Sequence, residues 1–228
     1  MGASYHQFCP VAKTMELLDE RWTLLVVREL VAGSRHFNDL RRGLPRISPT
    51  LLSKRLQHLT AAGIVERRPS DRDVQYVLTP AGEELAPIVQ ALGAWGVRWI
   101  GELGDRDLDP KLLLWDWHRN VDLSAVPAGR TVVGFRFPTA PARRRDWWLV
   151  LTPAEADVCD ADPGYDVAVQ VTADLRRLID VWRGDVTWSD AMRAGDVELT
   201  GPAALRRAVP DWFRPSAFAA VPRVSSAD

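Results

Sequence analysis

RISPTLLSKRLQHLTAAGIVERRPSDRDVQYVLTPAG, residues 46–82, sets a serine before a proline, a glycine after two alanines, and then two β-branched runs around a charged turn. Ser48 can cap a helix whose first turn holds Pro49, where a missing N–H costs nothing, and Gly63 can stop it after Ala61 and Ala62. At about 100° per residue Leu52, Leu56 and Leu59 share one stripe, Thr50, Lys54, Gln57 and Ala61 face away, and Ser53 and His58 lie on the flanks. Ile64 and Val65 lead through Glu66, Arg67 and Arg68 into the turn Pro69-Ser70-Asp71-Arg72-Asp73, and Val74 to Thr79 returns as a strand. A capped helix, a glycine stop and a two-stranded wing follow one another in the order of a winged helix-turn-helix.

Working upstream, Trp22 to Ala32 is apolar nearly all round, as expected of a helix buried in a small domain, and Gly33 ends it. Phe37, Leu40 and Leu44 recur at i, i+3, i+7 and give a short helix with Arg41 and Arg42 outside. This helix and the Ser48 helix form the helix-turn-helix, whose second member lies in a major groove with its N-terminal side chains at base edges. Charge agrees locally. The whole chain carries 29 basic and 30 acidic residues, which excludes a generally cationic coat, whereas residues 35–72 hold nine basic against three acidic, a net +6.

Six separated segments carry a family resemblance: Arg21-Trp22-Thr23-Leu24-Leu25 after Cys9-Pro10-Val11, Arg35 to Leu40, Ile47 to Leu56, Ala62 to Arg67, and Tyr76 to Gly82. In this order they resemble the HxlR-type bacterial transcriptional regulators over about residues 5 to 103. The resemblance implies a homodimer, its first and last domain helices packed across the two-fold, on a pseudo-palindromic operator. It also implies that double-stranded DNA is contacted from the start of the Ser48 helix and from the wing. The residues concerned are Arg46, Ser48, Pro49, Thr50, Ser53, Lys54, Arg55, Gln57 and His58, with Arg67, Arg68 and Arg72 as phosphate ligands. The wing departs from the pattern in being more acidic between Pro69 and Gln75. Regulators of this type also use an N-terminal thiol as a redox switch, which singles out Cys9, where a helix dipole favours a thiolate. The other reading of Cys9 is a small buried apolar residue under the dimer helices.

From Pro80 a helical pattern runs to about Leu103, with Leu85, Ile88, Val89, Leu92, Trp95, Trp99 and Ile100 in a broad apolar stripe. That face serves either a dimer or the packing of a following domain. Gly104 to Pro110 is a polar, proline-ended junction, so the domains are placed at residues 5–104 and 105–215, with a tail over 216–228.

The second half reads as α+β: a helix over 110–120, strands near 130–137, 147–151, 156–159 and 167–171, helices over 173–183 and 188–194, a strand over 197–200 and a last helix over 202–209. Its strand order and the stretch from Leu175 to Gly201 resemble the closing portion of a sterol-carrier-protein fold. That resemblance implies a lipophilic small-molecule effector in an apolar tunnel. Seven of the ten tryptophans lie here, and Trp115, Phe135, Trp148, Trp182 and Trp188 either line such a cavity or fill an ordinary core.

Two cysteines in different domains exclude a disulfide framework, and no Cys/His spacing suits a metal. The chain has no GxSxG, HExxH or phosphate loop, so neither an enzyme nor a cofactor is expected. No apolar run reaches a membrane span and Met1 to Phe8 lacks the form of a signal peptide, which points to a cytoplasmic protein without a membrane partner. The fold class is therefore α+β, a winged helix-turn-helix followed by a sterol-carrier-like domain. The function is a ligand-responsive DNA-binding regulator, a repressor. The competing reading is a hydrophobic-metabolite carrier whose N-terminal half serves only for dimerisation.

Overall fold

In the computed structural model, which describes residues 4–70, 73–100 and 103–224, the first part of the chain folds in the expected order. It runs α1 (Pro10–Leu18), α2 (Thr23–Val31), α3 (Phe37–Gly43), α4 (Pro49–Ala61), β1 (Val65–Pro69), β2 (Val74–Leu78), α5 (Pro80–Glu83) and α6 (Ala86–Trp99). Val26, Val27 and Leu30 of α2, Leu40 of α3, Leu52, Leu56 and Leu59 of α4 and Leu78 of β2 form one core. Each such side chain, fully buried, stabilises by about 1.5–3 kcal/mol. Leu25 is the exception in α2 and faces outward, so that helix is not apolar on every side.

Local chemistry sets the ends. Ser48 Oγ accepts the Leu51 N–H at 3.2 Å, and Gly63 leaves α4 at φ +71°, a conformation that costs a side-chain-bearing residue. The single helix expected over 80–103 is two helices, because Pro87 has no N–H to give to the carbonyl of Glu83. Thr79 caps the first of them, its Oγ1 accepting the Gly82 N–H at 3.2 Å.

Two compact units divide at Gly96 and Val97, ahead of the polar junction at 104–110. Leu103 packs on the second core, and Val97 and Arg98 offer their carbonyls to Arg223 and Val224 of the same unit. The stretch after 215 is not a loose tail as far as Val224: Ser216 N–H donates to Trp182 O at 2.6 Å and Arg223 pairs with Asp185.

The second unit continues with α7 (Pro110–Asn120), β3 (Thr131–Arg136), β4 (Asp146–Leu151), β5 (Ala156–Cys159), β6 (Val169–Ala173), α8 (Leu175–Arg183), α9 (Trp188–Ala194), β7 (Val197–Thr200) and α10 (Ala203–Trp212). Its sheet has the order β5-β4-β3-β6-β7, with β3 and β6 parallel and the other pairs antiparallel. Alternation puts Val133, Phe135, Leu149, Val169, Val171 and Leu199 on the face covered by the helices. The opposite face carries a cross-strand row, Cys159, Trp148, Gly134, Gln170 and Thr200. The fold class is thus α+β, with a winged N-terminal unit and a mixed sheet in the second.

Candidate nucleic-acid interface

Core packing of α4 decides which of its side chains are presented. With Leu52, Leu56 and Leu59 buried, Arg46, Ser48, Pro49 and Thr50 at its start, then Lys54 and Gln57, are exposed, and Ser53 is half-buried beside them. These residues share one outward side that begins at the helix N-terminus, where free N–H groups and the helix dipole attract anions. Arg41 and Arg42 of α3 are exposed as well.

Two expected members turn away. Arg55 is buried at 8 % exposure; its Nε donates to Arg21 O at 2.9 Å and its guanidinium pairs with Glu20. It lies three residues after Leu52 and four before Leu59, on the edge of the apolar stripe, so it joins α4 to the α1–α2 corner instead of facing outward with Lys54. His58 is drawn to the same carboxylate, its Nδ1 3.8 Å from Glu20, and is half-buried. That corner includes Trp22 at φ +81°, a left-handed conformation in a bulky residue that no sequence pattern signals.

The wing pairs antiparallel, Arg67 opposite Tyr76 and Arg68 opposite Gln75. Arg67 and Arg68 are exposed, but Arg68 is not a free cation: it donates to Glu66 at 2.8 and 3.0 Å, which holds the Glu66 carboxyl below the usual glutamate range. Arg72 lies outside the described residues. A bridge between His36 and Gln75, with Tyr76 N–H on Arg35 O at 2.8 Å, stitches the wing to the turn before α3.

Beneath α3, Glu29 is fully buried, bonded by Arg28 at 2.7 Å and by Ser34 at 3.2 Å. A Cβ on Gly43 would stand 1.8 Å from its Oε2, so the carboxylate occupies the space a side chain would need. This packing fixes α3 against α2.

In the second unit the aromatic residues divide. Phe135 and Trp188 are spent in a core with Trp117 and Phe213, ring centroids 5.2–6.0 Å apart, and Trp188 Nε1 donates to Phe213 O at 3.3 Å. Trp115 is buried and stacks on His118 at 4.2 Å. Trp182 donates to Asp116 at 2.7 Å and is half-buried, as is Trp148 on the face of the sheet away from the helices. Cys9 is the N-cap of α1 and half-buried, with no side-chain cap bond. Among the described residues no cluster of His, Cys, Asp or Glu is placed to hold a metal, and no helix is long and apolar enough to cross a membrane.

Residues 17–103 match the HxlR-like helix-turn-helix family. Over 98 residues the chain is 35% identical to an uncharacterized HTH-type transcriptional regulator of Bacillus subtilis, YvaP, covering 41% of this chain and 91% of that protein. A second such regulator, sll1512 of Synechocystis, is 36% identical over 95 residues, 40% of this chain and 70% of its own length. Among solved structures, the reduced form of the regulator YodB from B. subtilis is 31% identical, with a TM-score of 0.37, over 42% of this chain and all of that one. With a helix-turn-helix and wing built as described, and a relative matched over nearly its whole length, the chain belongs to the HxlR-like helix-turn-helix family of transcriptional regulators.

Proposed function

We propose that the protein is a DNA-binding transcriptional regulator that acts as a homodimeric repressor on a pseudo-palindromic operator. The observation that carries this reading is the outward side of α4, where Arg46, Ser48, Thr50, Lys54 and Gln57 are exposed from the N-terminus on while the leucines hold the helix in the core. A helix so mounted enters a major groove with its first turns at base edges, and the wing arginines reach phosphates. Regulators of this family are not enzymes.

The two-fold partner is argued from apolar surface. α6 buries none of its residues, and Leu92, Trp95 and Trp99 are each at least half exposed; Phe8 is fully exposed and Val11 of α1 about two-thirds exposed. Faces of this size on a water-facing helix are covered in a stable protein. A second copy supplies that cover and sets two α4 helices about 34 Å apart, one turn of duplex. Cys9 borders the exposed Phe8, so its oxidation would act on this face.

The second unit, read as sterol-carrier-like, is assigned to a lipophilic effector. Trp148 and Trp182, half-buried, are the indoles that remain within reach of it; Trp115, Phe135 and Trp188 serve the core. Such an effector changes operator affinity only through different affinity for two settings of the dimer.

Salt titration of duplex binding tests the reading. Each phosphate contact contributes about −0.9 to the slope of log K against log salt. Lys54→Ala flattens that slope, and a slope identical to wild type removes α4 from the groove.

A further inference from the structure

The second unit is acidic, with 17 Lys and Arg against 20 Asp and Glu from Val97 on. It neutralises many of its arginines locally: Arg177 on Asp180, Arg183 and Arg223 on Asp185, Arg193 on Asp190, Arg214 on Asp122. Between β3 and β4 it does the opposite. Arg143, Arg144 and Arg145 follow one another in and at the end of a short 3-10 turn (Ala142–Arg144), all exposed, and no carboxylate of the described residues pairs with them. The adjacent carboxylate, Asp146, is taken by Arg136 at 2.6 Å.

This turn is ordered by its backbone. Phe137 N–H donates to Arg145 O at 2.8 Å, Arg144 N–H to Pro141 O at 2.7 Å, and the indole N–H of the buried Trp147 to Arg144 O at 2.9 Å. None of these bonds uses an arginine side chain, so the fold has no need of three guanidinium groups here. Three like charges on consecutive residues repel one another, and a polyanion relieves the repulsion.

We propose that the Arg143–Arg145 turn is a second duplex-binding site, separate from α4 and the wing, which grips the phosphodiester backbone. This rests on the DNA-binding reading above. Guanidinium forks on a fixed turn bind phosphate oxygens in pairs without sequence preference, so the turn adds affinity and salt dependence and leaves base specificity unchanged.

Fluorescence anisotropy of the full chain on a long mixed-sequence duplex, titrated with salt, separates the possibilities. R143Q/R144Q/R145Q should lose about 0.9 of log–log slope for each phosphate contact given up, with unchanged tryptophan emission as the sign that Trp147 stays buried. R144Q alone should lose a part of that slope, which keeps the test valid if the triple variant folds poorly. A triple variant with the wild-type slope, beside a Lys54→Ala variant whose slope is flattened, overturns this site and leaves the α4 reading standing. Absence of duplex binding by the wild-type chain overturns both. Loss of binding to a polyglutamate peptide with an unchanged duplex slope also overturns it, and assigns the turn to an acidic protein segment.

Discussion

Lys54 and Arg55 are adjacent cations with opposite roles, and helical geometry decides between them. Lys54 points to solvent, whereas Arg55 reaches back to Glu20 and to the carbonyl of Arg21. Removing Arg55 takes the donor from the Arg21 carbonyl and the cation from Glu20, itself about a quarter exposed, so Arg55→Met should lower stability by about 1–3 kcal/mol, read as a fall in urea midpoint. Lys54→Ala should stay within about 0.5 kcal/mol of wild type while weakening DNA binding. In the wing, Glu66 neutralises Arg68. Glu66→Gln should therefore release that guanidinium, and duplex binding should tighten with a steeper salt slope; unchanged affinity would show that Arg68 makes no phosphate contact. The same release by acid comes only as the pH falls through the lowered pKa of Glu66, because its carboxyl stays ionised beside Arg68. Among these residues the sequence disclosed Ser48 and Lys54, whose roles are local. It did not disclose Glu20 as the partner of Arg55, because that contact joins residues 35 positions apart.

Elements were legible where a period and a punctuating residue coincided. Pro110 and the apolar run to about Asn120 marked α7, and the alternation of Val133, Phe135 and Phe137 marked β3. Long apolar stretches were less informative. The pattern from Pro80 to Leu103 keeps a helical period across Pro87, and only the missing N–H breaks it into α5 and α6. The strand expected near 167–171 begins two residues later, at Val169, after a bend at Ala168. The unburied face of α6 bears on assembly. In the proposed homodimer, Leu92→Asp should shift the protein from dimer to monomer in light scattering, with duplex affinity falling steeply because each copy then binds alone. A monomeric wild-type protein in that measurement would remove α6 from the interface.

At the scale of the molecule, two hydrophobic clusters share no residue, one in each unit. The family match ends at residue 103, and the charge follows the same division, with a cationic stretch over 35–72 and an acidic second unit. What could not be read from the chain was the closure of the second unit, which depends on contacts far apart in sequence. Trp117 and Trp212 donate their indole N–H groups to Arg214 O and Ala125 O, and Phe213 fills the space between Trp117, Phe135 and Trp212. The ring that seals this core, Phe213, is therefore made 78 residues after Phe135 of the β3 strand it covers. On a ribosome adding about 5–20 residues per second, Trp117 and Phe135 wait several seconds for it, and a message cut short before codon 213 yields a sheet whose core lacks its closing ring.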